Sequence, residues 1–281
     1  MVNLPLPVAH DLPTSRETLS AEDLRDLRDA WRRLEIMPLT ARLSGVIGRR
    51  LDDASLILPE RLRDMARKAT GHALSAAMKA SLKSMQLGTQ APSPRLHQAL
   101  AVTSGAAGGA FGMVSLPLEL PISTVILLRS IADIARAHGE DLSHPDVAMA
   151  CIEVFALGSH AKDDDFLSSS YFATRALLAR SISEAAQYVA TSTAASQSAP
   201  VILRLLNQIA ARFGVAVTQK AMAQAVPLLG AVGGAAINYA FIHHFQSLAT
   251  GHFTIRRLER KYGCDLVGER YKLIQASDFK T

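Results

Sequence analysis

Leu24, Leu27, Trp31 and Leu34 recur at three- and four-residue intervals with charged residues between them, a spacing that predicts an amphipathic helix. Ser20 stands before Glu22 and Asp23 as an N-cap with acid in the first turn, and Pro38 marks the end. A second helix is predicted from Pro59 to about Leu87. One side of it carries Arg61, Arg63, Arg67, Lys68, Lys79 and Lys83, the other Ala, Leu and Met. Ser143, followed by Pro145 and Asp146, is expected to cap a helix containing Cys151, Glu153, Val154 and Phe155. A long Ala- and Ser-rich helix is expected from Phe166 to Thr193. No segment sustains a period of two, so the expectation is an all-α fold. Residues 1–19, polar and Pro-rich, read as a flexible arm; 20–265 as one multi-helix domain; 266–281 as a tail.

Two stretches break the amphipathic pattern. Between Arg95 and Arg129 the only formally charged residue is Glu119, and from Ala221 to Ile255 there is no Asp, Glu, Lys or Arg. Each contains a glycine hexad, Gly105-Ala-Ala-Gly-Gly-Ala110 and Gly230-Ala-Val-Gly-Gly-Ala235, alike except at the third position. Glycine costs roughly 1 kcal/mol against alanine in a helix interior, so such a cluster needs a reason. Gly105 and Gly109, Gly108 and Gly112, and Gly230 and Gly234 are each four apart, a spacing that lets another helix approach closely. The two segments are therefore expected to pack centrally, and these glycines with Gly233 and Glu119 are the candidate lipid- or ligand-facing positions.

A bilayer span needs about twenty apolar residues. Ala221 to Ile242 offers 22 residues, of which seven are Leu, Ile, Val or Phe. Ala110 to Leu128 has ten such residues, set against Glu119. Their insertion energies come to about −2 to −4 and about −3 to −6 kcal/mol before the polar residues subtract. Both are marginal, which favours burial or reversible insertion over firm anchoring.

Composition adds less. A formal net charge of +5 is compatible with anionic partners, but only 5% of residues are aromatic and no nucleic-acid motif is present. Nucleic acid is therefore set aside. The mean hydropathy of +0.15 lies between an ordinary soluble chain and a polytopic transporter. Cys151 and Cys264 lack neighbours at metal-ligand spacing, and the start of the chain shows no secretory pattern, so a cytoplasmic location is expected.

Candidate chemistry is sparse. Glu119 in an apolar run reads either as a metal ligand or proton-handling group, or as a helix-initiating residue paired with an arginine. His244 and His252, eight apart, point within about 80° of each other on a continuous helix. With His243, Glu119 and Glu153 they form the candidate metal set, and a divalent metal is the one cofactor these side chains could hold. Lys162-Asp-Asp-Asp165 reads more simply as a helix-initiating acidic corner. No nucleophile elbow, phosphate-binding loop, dinucleotide fingerprint or His-Glu-x-x-His motif occurs.

Several local patterns resemble the bacterial EcsC family. They are Leu118-Glu-Leu-Pro121, Leu128-Arg-Ser-Ile-Ala-Asp-Ile-Ala135, Glu153-Val-Phe-Ala-Leu-Gly158, and Lys162-Asp-Asp-Asp165 with Tyr171 and Arg175. Val226-Pro-Leu-Leu-Gly-Ala-Val-Gly-Gly-Ala-Ala-Ile-Asn-Tyr239 and Gly251-His-Phe-Thr-Ile-Arg-Arg-Leu-Glu-Arg260 complete the set. The resemblance implies an all-helical protein without a settled biochemical activity. His243-His244 departs from the acidic residue that the resemblance leads one to expect after the Asn-Tyr helix.

The resulting expectation is a non-catalytic, membrane-associated or lipid-binding helical protein, peripheral on the inner face of the membrane. Arg256, Arg257, Arg260 and Lys261, directly after the neutral stretch, are the candidate head-group contacts. The alternatives are a metal-dependent hydrolase built on the Glu/His set and a scaffold that binds a partner helix through its glycine grooves.

Overall fold

The computed structural model describes residues 18–36, 38–48, 59–87, 116–158, 171–192, 196, 198–225 and 230–278. Among these are nine α-helices and no strand: α1 (Ala21–Trp31), α2 (Leu39–Ile47), α3 (Glu60–Leu87), α4 (Leu116–Ala137) and α5 (Pro145–Leu157), then α6 (Tyr171–Thr191), α7 (Pro200–Gln224), α8 (Gly230–Tyr262) and α9 (Cys264–Asp278). The protein is all-α.

The Ser20 cap forms as its spacing predicts, Asp23 N–H donating to Ser20 Oγ at 3.1 Å. The chain does not run straight on to Pro38. Arg32–Ile36 is a π-helical turn after α1, and it carries Glu35. Glu35 Oε1 accepts from the Tyr171 N–H at 3.0 Å and from the Tyr271 hydroxyl at 2.9 Å. One carboxylate thus ties the first helix to the start of α6 and to α9. At α5 the N-cap is His144, not Ser143, and it makes no side-chain cap bond. Ser143 is held instead by Asp141 Oδ1, which accepts from both its N–H and its hydroxyl.

The 33-residue α8 is the axis of the molecule, packing against α1, α2, α4, α5, α7 and α9. Every residue of α5 from Val147 to Leu157 is buried, as expected of a helix apolar on all sides. Phe155 of α5, Phe213 of α7, and Phe241 and Phe245 of α8 form the aromatic heart, with ring centroids 5.0–6.1 Å apart. α3 turns Ala66, Ala69, Ala73, Leu74, Ala77 and Met78 inward against α4 and α7, and leaves its basic side outward. Gly263, at φ +89°, turns the chain from α8 into α9. The stretch after 265 continues α9 to Asp278. Val267, Tyr271 and Ile274 recur at four and three residues and are buried, so α9 docks as an amphipathic helix.

The segment Ala221–Ile242 is not one helix. α7 ends at Gln224 and α8 begins at Gly230, so its 22 residues are divided between two elements. Among the described residues only α7 is long and apolar enough to cross a membrane. Its inner stripe of Ile202, Leu205, Ile209, Phe213, Ala216, Val217 and Lys220 is buried in the bundle.

Candidate functional site

α4 and α8 lie side by side and run parallel. Gln246 donates to Ser130 Oγ at 2.6 Å, Thr254 Oγ1 meets His138 Nε2 at 3.2 Å, and Arg256 Nε donates to Glu140 Oε1 at 2.8 Å. All three pairs are separated by 116 residues; Ser130–Gln246 joins the two helices, and His138 and Glu140 lie just past the end of α4. Toward the N-terminal ends, Lys220 bonds both Glu119 of α4 and Asn238 of α8, which places those two residues near one another.

At this end the interior holds charge. Lys220 of α7 is fully buried, and its Nζ donates to Glu119 Oε1 at 2.8 Å and to Asn238 Oδ1 at 2.8 Å. Gln224 Nε2 donates to the second carboxylate oxygen of Glu119 at 3.2 Å, and the Lys220 ammonium stands 5.0 Å from the Phe241 ring centroid. The partner of Glu119 is therefore a lysine, not an arginine. With both its oxygens accepting hydrogen bonds, Glu119 joins α4 to α7, and through Lys220 to Asn238 of α8.

Outside this knot the same end is apolar and uncovered. Leu118 is 78% exposed, Ile122 57%, Val232 84% and Tyr239 47%. Leu118 and Ile122 are one turn apart on α4, and Val232 and Tyr239 are two turns apart on α8, so each pair shares a face. Isolated exposed aliphatics are ordinary; here Leu118 and Ile122 near the start of α4 and Val232 and Tyr239 near the start of α8 leave apolar side chains open at the same end of two parallel helices. Gly233 and Gly234 at the same end are buried. Gly230 opens α8. Gly105, Gly108, Gly109 and Gly112 lie outside the described residues.

The candidate metal set does not converge. His243 is exposed, and Arg42 Nη1 donates to its Nδ1 at 2.9 Å. Burial, with Arg42 and Arg33 nearby, holds its pKa below the usual histidine value. His244 is buried against the Phe245 ring. Only Glu153 and His252 meet, with Glu153 Oε2 3.9 Å from His252 Nε2. Among the described residues no three His, Cys, Asp or Glu side chains come close enough to hold a metal ion. His160 and Lys162 to Asp165 lie outside the described residues.

Glu153 and His252 belong to a second buried polar centre. His252 is fully buried and its Nδ1 lies 3.0 Å from the Tyr171 hydroxyl, which donates to it when the ring carries its proton on Nε2. Burial pushes the Glu153 carboxyl up to about 7, against the pull of Arg175 and Arg256. Burial likewise drives the pKa of His252 well below the usual value, helped by the same two arginines. Burial thus favours the neutral form of both groups. Beside them Arg175 donates to both oxygens of Glu259, at 2.7 and 3.1 Å, and lies 5.4 Å from the Tyr171 ring centroid.

The four candidate head-group cations are engaged within the fold. Arg256 Nε and Nη2 donate to Glu140 at 2.8 and 3.3 Å, and Arg260 donates to the same carboxylate and to His138 O. Arg257 bridges Asp23 and Asp26 at 3.2 and 2.6 Å, and Lys261 reaches Asp23 at 2.7 Å. Lys261 foremost, with Tyr262 and Ser20, holds the Asp23 carboxyl well below the usual range despite its burial. These bonds clamp the far end of α8 to α1 and to the α4–α5 corner.

Reading single residues missed the partner of Glu119, although a signal was present. Lys220 is the only formally charged residue between Arg212 and Arg256, as Glu119 is between Arg95 and Arg129. Lone opposite charges in apolar runs are candidates to meet. Tyr171, Arg175 and Glu259 carried no such mark.

The sequence pattern of the EcsC protein family matches residues 36–258, most of the chain. No curated protein and no solved structure matches it.

Proposed function

Starting from the fact that this chain belongs to the EcsC protein family, we propose a non-catalytic protein that associates reversibly with a membrane surface through the α4/α8 end of its bundle. The observation that carries this reading is the exposure of Leu118, Ile122 and Val232 near the N-terminal ends of two parallel helices. Three aliphatic side chains moved from water into a lipid interface contribute on the order of 3–6 kcal/mol. That is comparable to one myristoyl chain, which supports reversible binding and not permanent anchoring.

Behind the patch, the Glu119–Lys220 pair fixes three helices to one another, so the exposed residues stand on a rigid base. An enzyme built on the Glu/His set is the less favoured reading: both Glu119 oxygens accept hydrogen bonds, and Glu153 and His252 are buried. Both cysteines are free thiols, in keeping with the inner face of the membrane as the place of work.

Vesicle flotation with purified protein tests the reading. Wild type is expected to float with phospholipid vesicles, and Leu118→Ser/Ile122→Ser/Val232→Ser to stay behind with an unchanged helical spectrum. Failure of the wild type to bind any vesicle ends the proposal and turns attention to a partner helix on the same face.

A further inference from the structure

Beside the apolar patch lies an open cleft of about 340 Å³ between α3 and the start of α4. It is lined by Arg61, Asp64, Met65, Lys68, Ala69, His72 and Pro117. The volume is at the small end of the range for ligand sites, about 300–1,000 Å³. Pro117 forms one wall, and the next residue is Leu118, the second most exposed of the large hydrophobics.

The cleft is cationic by construction. Arg61, Lys68 and His72 are seven and four residues apart, which brings them to within about 40° of one another on α3. All three are exposed. The one acid in the lining, Asp64, is ion-paired with Arg67 and leaves the charge of Arg61 and Lys68 uncancelled. In this they differ from Arg256, Arg257, Arg260 and Lys261, whose donors are taken up by Glu140, Asp23 and Asp26. A guanidinium, an ammonium and an imidazole N–H facing one hollow are suited to phosphate oxygens. Lipid-facing aliphatics at its rim would hold that phosphate at head-group depth.

We propose that the Arg61–Lys68–His72 cleft is a binding site for the phosphodiester head group of an anionic phospholipid, seated while Leu118 and Ile122 enter the lipid layer. This inference rests on the membrane reading above and adds to it a preference for negatively charged lipid. A cation near an anionic surface contributes about 1 kcal/mol, or roughly five-fold in binding, so two cations give about 30-fold.

The test compares flotation on neutral phosphatidylcholine vesicles with flotation on vesicles containing phosphatidylglycerol, at one salt concentration. Wild type is expected to bind the anionic vesicles about 30-fold more tightly, and Arg61→Ala/Lys68→Ala to lose that preference while still binding neutral vesicles. Arg25→Ala/Arg28→Ala, which removes the same charge from α1 at the far end of α8, is expected to keep it. Equal loss in both double variants would reduce the effect to net charge and overturn the site. Equal binding of wild type to both vesicle types would overturn the cleft and leave the apolar reading standing. No binding to either type would end both. Saturable binding of glycerol phosphate in solution, without any anionic-vesicle preference, would replace the lipid by a free phosphate ester and overturn the inference as stated.

Discussion

Lys220 Nζ stands 2.8 Å from Glu119 Oε1, and the two residues lie 101 positions apart in the chain with their side chains 0% and 3% exposed. Two opposite charges taken out of water together are tolerated because Asn238 and Gln224 supply the remaining hydrogen bonds. Removing one partner strands the other. Lys220→Met alone is expected to cost about 3–5 kcal/mol, and Glu119→Leu/Lys220→Met to restore much of that loss. Urea unfolding of the four proteins in a double-mutant cycle measures the coupling. Strictly additive losses would show that the pair is not coupled.

The centre around Glu153 and His252 predicts how stability follows pH. The Glu153 carboxyl is raised to about 7 in the fold from 4.5, so the native state holds a proton there that the unfolded chain releases. By itself this makes stability fall as pH rises from 4.5 to 7. His252 is lowered well below 6.5, so the unfolded chain takes a proton that the native state refuses. By itself this makes stability fall as pH drops below 6.5. Between about pH 4.5 and 6.5 the two slopes oppose and nearly cancel. Glu153→Gln is expected to expose the histidine slope, with stability rising by about 1.4 kcal/mol per pH unit toward 6.5. His252→Gln should show the reverse slope. Urea midpoints at pH 5, 6 and 7 read both.

Gly251 of α8 packs closely against the end of α1 and the π-helical turn after it. A Cβ there would lie 2.9 Å from Leu34 Cγ and 3.1 Å from the Ala30 carbonyl oxygen. Gly251→Ala is expected to destabilise by about 1–3 kcal/mol through overpacking. Gly214, mid-helix in α7 with nothing within 4 Å of such a Cβ, is the contrast. Gly214→Ala should stabilise by about 0.5–1 kcal/mol. Thermal melts of the two variants should move in opposite directions.

Glu140 receives both Arg256 and Arg260 and is buried at the α4–α5 corner. Arg256→Ala/Arg260→Ala leaves that carboxylate without its cations and is expected to cost about 2–3 kcal/mol. Because these arginines are engaged within the fold, vesicle flotation of the double variant at a temperature where it is folded should match wild type. A loss of anionic-vesicle binding in the folded variant would restore these residues as head-group contacts.

Much of the architecture is legible in the chain itself, because it depends on local periodicity. The Ser20 cap, the two-faced α3 and the absence of strands among the described residues all follow from residues within a turn or two of each other. So does the oddity of Glu119 and Lys220 as lone charges in apolar runs. What periodicity does not carry is which apolar face meets another helix and which stays in water. Leu118 and Leu120 read alike in sequence, yet Leu120 is fully buried and Leu118 is 78% exposed. Two residues apart on a helix they point to nearly opposite sides, and the packing of α4 against its neighbours decided which side turned inward. In the same way Arg256 and Arg61 are equally basic, but only long-range packing brought Glu140 to the first and left the second facing an open cleft. Charge and hydrophobicity are properties of single residues, and partnership is a property of the assembled bundle.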